Sequence, residues 1–283
     1  MSDTGFGLQF WITLIFGLIF GSFANVLIAR LPHGKSIVRP ASACPNCLEK
    51  IRWYDNLPVL SWLFILRGRC RSCRSPIAVR YPMVELLTAI LFLACWSRYG
   101  WGWALWLRDW PLMVALVCVV FIDLDLRIIP DEISLGGLIY GLLTSFLDPR
   151  LDFVGAFLGA SVGFGLFYGF AWIYWFLTKR SGLGGGDIKL LAMLGAFLGF
   201  RGVLTTILLS SVLGSLIGVL SVLLGRWLLK KNEPNRLQDG THPSQTEPSI
   251  MKAAIPYGPF LVIGAIFYHL LGDSAWLQSM IPI

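Results

Sequence analysis

The chain has 283 residues, of which 56% are hydrophobic and only 14% are charged. This composition excludes an ordinary soluble globular protein, and several apolar runs approach the roughly 20 residues that cross a bilayer. The net charge of +7 could suit nucleic acid, but in membrane proteins Lys and Arg mainly report orientation. We therefore expect an all-α polytopic protein surrounded by membrane lipid, with no nucleic-acid partner.

Eight hydrophobic segments predict about eight transmembrane helices, of which the fourth and the sixth are short. The segments cover residues 8–29, 83–99, 111–129, 133–147, 153–177, 188–200, 203–224 and 253–271. A helix over 188–200 would rise only about 20 Å, so we expect this segment to be extended, tilted or only partly inserted. Gly17 and Gly21 have the spacing of a helix-packing motif, although glycine is also common in membrane helices generally.

Basic residues predict the orientation of these segments. When the loops are numbered from the N-terminus, nearly all of the 23 Lys and Arg residues lie at the odd-numbered loops. The exceptions are Arg98, Arg108, Arg150 and Arg201. The positive-inside rule then places the odd-numbered loops in the cytoplasm and both termini on the other side.

Two loops are long enough to matter for domain organisation. Residues 30–82 are strongly basic. A segment of about fifty residues buries too little apolar surface to fold without a cross-link such as a metal ion or a disulfide. Residues 230–252 are rich in turn-forming residues and lack apolar periodicity, which predicts a mobile linker. The chain therefore divides into a first transmembrane helix, a cytoplasmic domain and a membrane-embedded domain, at 1–29, 30–82 and 83–283.

Two C-x-x-C pairs in the cytoplasmic domain are typical of a zinc site. Cys44 and Cys47 form the first pair, and Cys70 and Cys73 form the second after a slightly longer interval than usual. Zinc prefers a tetrahedral shell of thiolates, and the reducing cytoplasm disfavours disulfides. A redox centre and a loop that folds without metal remain alternatives, although redox pairs usually occur singly.

Asp123 ends an apolar run, and a carboxylate at membrane depth is costly and usually functional. If the helix continues to Ile129, Asp123 lies about 9 Å inside its cytoplasmic end. Asp125 faces a different side of that helix, where we expect it to pair with Arg127 or to face lipid headgroups. After the following proline, Asp131 is placed to cap the next helix.

Asp187 follows three glycines, of which Gly184 and Gly186 flank the central one, and it opens the sixth segment. A helix cap needs only one polar side-chain oxygen. A capping role for Asp187 therefore does not explain the three glycines before it. Glycines allow close backbone approach, which suits a site where an extended substrate lies against the chain. A phosphate-binding loop is another possibility, but the lysine–serine pattern of such loops is missing.

Together, Asp123 and Asp187 predict an intramembrane aspartyl protease. Both lie on the cytoplasmic side of the predicted topology, and two facing carboxylates can share one proton and divide the acid and base roles. No serine–histidine or cysteine–histidine pattern competes with them. A membrane zinc scaffold or a transporter that uses these acids for ion passage is the rival from another class.

The motifs of this chain, taken together, resemble those of the type IV prepilin peptidases over nearly the whole length. They are GSFANV at 21–26, RLP at 30–32, CPNC at 44–47, DNLPVLSW at 55–62, the second cysteine pair, RYPMVEL at 80–86, Asp123 with IPD at 129–131, and GGGDIK at 184–189.

This resemblance implies removal of a basic leader, after a glycine, from prepilin or pseudopilin substrates at a bacterial inner membrane. It also implies N-methylation of the new N-terminus from S-adenosylmethionine, with Asp123 and Asp187 catalytic and both termini periplasmic. A peptidase without methyltransferase activity is the nearer alternative, since no glycine fingerprint for S-adenosylmethionine is present. Glu85 could bind the substrate's amine or could pair with Arg80 at headgroup level.

Overall fold

The computed structural model describes residues 3–180, 184–236 and 256–272, and these residues form helices joined by loops, with no strand among them. The long helices are α1 (Asp3–Arg30), α2 (Arg80–Tyr99), α3 (Trp110–Leu126), α4 (Asp131–Thr144), α5 (Phe153–Thr178), α6 (Gly185–Arg236) and α7 (Gly258–Leu271). A wide helical turn, Leu105–Asp109, leads directly into α3. The predicted all-α architecture is confirmed for the described part of the chain.

Four helical stretches are long and apolar enough to cross a membrane, so the chain is a multi-pass membrane protein. They are Gly7–His33, Leu105–Leu126, Phe153–Thr178 and Gly185–Leu223. All eight predicted hydrophobic segments fall largely within helices, because α6 contains both the sixth and the seventh. Helix α6 breaks at Gly199, whose φ of 69° and ψ of −175° are not helical.

The sixth segment is helical, so the prediction that it could be extended was wrong. Its helix lies inside protein rather than lipid, and Leu190, Leu191, Met193 and Leu194 are fully buried there. A buried segment does not have to match the thickness of the bilayer. The prediction of a linker over 230–252 was also wrong at its start, since α6 continues to Arg236, while 237–252 lie outside the described residues.

Glycines bring neighbouring helices into backbone contact. A Cβ atom added to Gly17 or Gly21 would lie 2.5 Å from the Cα atom of Ala89 or Glu85 on α2. A Cβ atom at Gly195 of α6 would lie 2.1 Å from the carbonyl oxygen of Gly159 on α5. The predicted helix-packing role of the first two glycines is confirmed, because small residues allow the close contacts that hold membrane helices together.

The start of α3, at Trp110, packs against a buried network of ion pairs. Arg108 is 1% exposed and its guanidinium lies 3.0 Å from Asp148. Arg150 binds both Asp148 and Asp109, each at 2.7 Å, and the imidazole of His269 lies 3.1 Å from Asp109. The network therefore joins the start of α3, the loop before α5 and the end of α7.

Arg108 also donates to backbone carbonyl oxygens of α4 and α6, at Gly141, Ala196 and Phe197. With the hydroxyl of Thr144 at 3.3 Å, five polar acceptors contact this one side chain in a buried region. A buried charge that loses its partner leaves the remaining groups desolvated and unpaired.

We predict that Arg108→Met lowers the free energy of unfolding by about 3–5 kcal/mol, because Asp148 loses one of its two arginine partners and the carbonyl oxygens lose their side-chain donor. Denaturation of the purified protein in detergent measures the change. The exposed Arg180 supplies a matched control, since Arg180→Met should change stability by less than about 0.5 kcal/mol. Equal stability of the two variants would contradict a structural role for the network.

Candidate active site

Asp123 lies in the last turn of α3 and is buried, with 6% of the residue exposed. Its Oδ2 atom accepts a hydrogen bond of 3.0 Å from the backbone N–H of Gly258, the first residue of α7. A Cβ atom at Gly258 would lie 2.6 Å from that oxygen, so only glycine allows this approach. The positive end of α7 therefore faces the Asp123 carboxylate.

Helix α3 ends at Leu126, three residues earlier than the predicted end at Ile129, and Arg127 adopts a left-handed conformation with φ of 56°. Asp123 therefore lies only about 4.5 Å from the end of its helix instead of about 9 Å. The earlier end brings the carboxylate closer to the loop and to solvent than the sequence predicted.

Asp187 lies in the first turn of α6 and is half-buried. Its backbone N–H donates to the carbonyl oxygen of Gly184 at 3.2 Å, so Gly184 takes the capping position and Asp187 lies inside the helix. The alternative in which Asp187 is itself the cap was wrong. A Cβ atom at Gly186 would lie 3.1 Å from Ile129, so this glycine lets the chain after α3 pack against the start of α6.

The two aspartates, predicted to meet, lie on chain segments that pack together, since Gly186 at the start of α6 contacts Ile129 just beyond the end of α3. They come from α3 and α6, which are distant in sequence. Both carboxylates lie at the positive ends of helices, α7 for Asp123 and α6 for Asp187, and this field favours negative charge. The arrangement can hold two acidic groups in a partly buried place, which neither helix could do alone.

Two neighbouring acids have partners other than those predicted. Asp125 pairs with Arg80 at 2.6 Å, so the predicted pairing with Arg127 was wrong. Asp131 makes no cap for α4 and instead pairs with Lys189 at 2.7 Å, joining the starts of α4 and α6. Both corrections have one cause, since each true partner lies on a different helix and local spacing carries no information about it.

The four cysteines of the predicted zinc site form one cluster. Their Sγ atoms all lie within 4.8 Å of one another, with 3.7 Å between Cys44 and Cys73 and 3.9 Å between Cys47 and Cys70. A tetrahedral zinc ion with Zn–S bonds of about 2.3 Å separates its sulfur ligands by about 3.8 Å. The thiols therefore fit a zinc ion, and the identity of the metal stays a prediction.

Each C-x-x-C pair forms the same kind of turn. The first pair is closed by backbone hydrogen bonds from Cys44 to Glu49 and from Leu48 to Cys44. The second is closed in the same way, from Cys70 to Ser75 and from Arg74 to Cys70. Leu48 and Arg74 both have a φ near 60°, at 59° and 60°. Two matching turns thus present four thiols from a loop without a core of its own.

The backbone around the cluster stabilises negative sulfur. Backbone N–H groups of Cys47 and of the residue before it lower the pKa of the Cys44 thiol to about 6, and Ser75 lowers the pKa of Cys73. At Cys47 the N–H of Glu49 acts in the same direction, but desolvation and the neighbouring thiols raise the pKa to about 11. The thiols therefore compete for negative charge, and a divalent cation would relieve that competition.

Glu85 lies on α2 and is 8% exposed. Its Oε2 atom accepts a hydrogen bond of 2.7 Å from the backbone N–H of Val59 in the cysteine loop. The predicted alternative in which Glu85 pairs with Arg80 was wrong, because Arg80 pairs with Asp125. Glu85 therefore fastens the cysteine loop to the membrane helices.

Two contributors to these sites were absent from the sequence-based prediction. Gly258 follows Tyr257 and precedes a proline at the start of α7, and this combination at a helix start was the available signal. Val59 is a β-branched residue with φ of 56°, an unusual conformation that no sequence pattern predicts.

Two family models match the chain, and together they cover both sites. A model described as the bacterial peptidase A24 N-terminal domain matches residues 15–99, which include the four cysteines and Glu85. A model described as the type IV leader peptidase family matches residues 110–219, which include Asp123 and Asp187.

Curated relatives extend this similarity over most of the chain. A prepilin leader peptidase/N-methyltransferase of Myxococcus xanthus is 46% identical over 77% of this chain and 65% of its own length. Proteins of the same name from Aeromonas hydrophila and Neisseria gonorrhoeae are 36% and 31% identical, over 94% and 98% of this chain and 92% and 96% of their own lengths. No solved structure gives a significant match. With matches of this extent on both halves, the chain belongs to the type IV leader peptidase family.

Proposed function

We propose that this protein is an intramembrane aspartyl endopeptidase that removes the basic leader of a prepilin or pseudopilin after a glycine and then N-methylates the new N-terminus. The placement of Asp123 and Asp187 on the packed ends of α3 and α6 carries the peptidase proposal. The printed names of the relatives support both activities, and S-adenosylmethionine would be the methyl donor. The substrate's apolar helix and membrane lipid are the partners that fit the exposed apolar helices.

Asp123 and Asp187 would divide the acid and base roles. The N–H of Gly258 stabilises the ionised form of Asp123, so we assign to Asp123 the removal of a proton from the attacking water. Asp187 would then give its proton to the carbonyl oxygen of the scissile peptide bond as water adds to the carbonyl carbon. Asp123 passes the proton taken from water to the amine nitrogen as the C–N bond breaks, and Asp187 recovers its proton as the carbonyl re-forms. No covalent intermediate is required.

The membrane arrangement follows from the same site. We infer that eight helical stretches cross the inner membrane, with the two parts of α6 on either side of Gly199 counted separately. The basic residues support a cytoplasmic active site and periplasmic termini. In this division, 1–29 is the first transmembrane helix, 30–82 the zinc-binding domain linked to methyl transfer, and 83–283 the peptidase domain.

A zinc ion bound by Cys44, Cys47, Cys70 and Cys73 would hold the cysteine loop in one conformation. The loop has few buried apolar residues of its own, with Cys44 the one buried hydrophobic residue of its described part. Metal binding would therefore supply folding free energy to the loop. The loop contacts α2 through Glu85. A zinc ion that orders the loop would therefore also stabilise this contact with the membrane helices.

We predict that Asp123→Asn and Asp187→Asn each lower the rate of leader cleavage on the order of 10²–10⁴-fold, because an amide neither accepts nor donates the required proton. Incubation of the purified protein with a prepilin-like peptide measures cleavage. Asp125→Asn is the matched control on the same helix, and it removes only an exposed ion pair, so cleavage should change by less than about threefold. Near-normal cleavage by either catalytic variant would refute the pair.

Zinc content gives a second test. Cys44→Ser and Cys73→Ser should each reduce the zinc bound per purified chain to well below half, since three thiolates do not fill the tetrahedral shell. Ser72→Ala lies within the second turn but removes no ligand, and it should keep the full metal content. Elemental analysis measures the zinc, and unchanged content in the cysteine variants would remove the assignment.

Mass spectrometry distinguishes the two-activity enzyme from a peptidase alone. With S-adenosylmethionine present, the trimmed product should gain about 14 Da, the mass of one added methylene. We expect Cys44→Ser to reduce this gain more than it reduces cleavage. A trimmed product of unchanged mass under all conditions would leave the peptidase and exclude the methyltransferase.

A further inference from the structure

A cavity of about 520 Å³ lies between the cysteine loop and the membrane helices. Its walls come from the end of α1, the first turns of α2 and both cysteine turns. Pockets of 300–1,000 Å³ commonly hold small molecules, so a ligand of nucleoside size fits here. The peptidase mechanism uses none of these walls.

The three carboxylates that line this cavity differ in their partners and in their exposure to solvent. Among its carboxylates, Asp55 is held in a two-pronged pair by Arg71, and the hydrogen bonds from Arg71 lower the pKa of Asp55. Glu49 is exposed to solvent. Glu85 is buried, and in the described parts of the chain its partners are the N–H of Val59 and the hydroxyl of Ser22, both neutral.

A buried carboxylate without a cationic partner is costly, and the backbone around Glu85 is arranged to keep it in place. Val59 holds a φ of 56° while its N–H points at Glu85, and such strain in a β-branched residue clusters at ligand-binding sites. Gly21 brings α1 against the backbone of Glu85 itself. The position of this carboxylate is therefore fixed from two sides. Basic side chains also line the cavity, at Arg30, Lys50, Arg52 and Arg71, but within the described residues none of them forms an ion pair with Glu85.

We infer that this cavity binds S-adenosylmethionine, with Glu85 facing the positively charged sulfonium group. The inference rests on the proposed methyltransferase function and adds to it the location of the donor. The cavity supplies a fixed negative charge, the Asn25 and Asn56 amides and the aromatic residue Trp62 as lining. Together with the basic side chains, which suit the carboxylate of an amino-acid end, these groups match a ligand that combines a cation, an amino-acid end and a nucleoside.

The cavity lies at the same end of the helix bundle as the aspartate pair. Arg80, the first residue of α2, pairs with Asp125 at 2.6 Å and donates to the carbonyl oxygen of Phe121 at 3.1 Å, both near the end of α3. The same first turns of α2 carry Tyr81 and Glu85, which line the cavity. A new N-terminus released at Asp123 therefore forms at the end of the bundle where the cavity lies.

The transfer balances within these components. The product's amine, after losing a proton to solvent, gives its electron pair to the methyl carbon, and the C–S bond breaks with its electrons left on sulfur. The positive charge leaves sulfur and appears on the methylated nitrogen, from which a second proton can depart. No oxidant, reductant or further reactant is required.

The test is ligand binding to the purified full-length protein, measured by titration calorimetry in detergent. Glu85→Gln keeps an oxygen that can accept the N–H of Val59 but removes the charge, so its affinity for S-adenosylmethionine should fall at least tenfold. For S-adenosylhomocysteine, which lacks the positive charge on sulfur, the fall should be less than threefold. Glu132→Gln is the matched control, because Glu132 is exposed at the start of α4.

A second variant tests the space rather than the charge. Ala29 lines the cavity and is exposed, so Ala29→Phe should fill part of the volume without disturbing a core, and binding of both ligands should fall at least tenfold. Ala41→Phe places the same side chain on the exposed surface outside the lining and should bind normally. Zinc content and thermal melting of each variant establish that the loop is folded.

The outcomes separate this inference from the proposed function. If the unchanged protein binds and transfers the methyl group but Ala29→Phe binds normally, the cavity is not the donor site and the inference is overturned while the function stands. If Glu85→Gln weakens both ligands equally, the role of its charge toward the sulfonium is overturned. If the unchanged protein neither binds S-adenosylmethionine nor methylates its product, the proposed methyltransferase function fails as well.

Discussion

The arrangement of this molecule depends on placing two carboxylates at the edge of a membrane bundle without leaving their charge unsupported. Asp123 meets the N-terminus of α7 through the N–H of Gly258, and Asp187 lies in the first turn of α6. Helix termini supply partial positive charge and free N–H groups in a region where water and lysine are scarce. A movement of α7 would therefore change the environment of Asp123, and a movement of α6 would displace Asp187 from it.

Glycine and buried charge hold those helices where the site needs them. Gly159 and Gly195 bring α5 and α6 into backbone contact, and at the next residue of α6 Arg108 joins the start of α3 to α4 and α6. In lipid the hydrophobic effect does not drive helices to associate with one another. Close packing and polar contacts must therefore specify how the helices of the bundle are arranged. The site and the ionic network thus lie at opposite ends of α3, about 20 Å apart along its axis.

Much of this could be read from the sequence because the signals are local. The apolar runs predicted the helices, and the C-x-x-C spacing predicted a cluster that the structure contains. The pairings of Asp125 with Arg127 and of Glu85 with Arg80 and the cap at Asp131 were wrong, since the observed partners lie on other elements and depend on packing. Arg108 was assigned to a loop by charge counting, yet it is buried, because an ion pair with Asp148 offsets the cost of leaving water.

The central claim is that Asp123 and Asp187 face one another across a single scissile bond. Cross-linking of the Asp123→Cys/Asp187→Cys double variant in membranes tests it most directly, with peptides identified by mass spectrometry and a monofunctional thiol reagent used to establish that both introduced thiols are accessible. A short bifunctional thiol reagent should join the peptide from the end of α3 to the peptide from the start of α6. Labelling of both sites without a link between them would contradict the account.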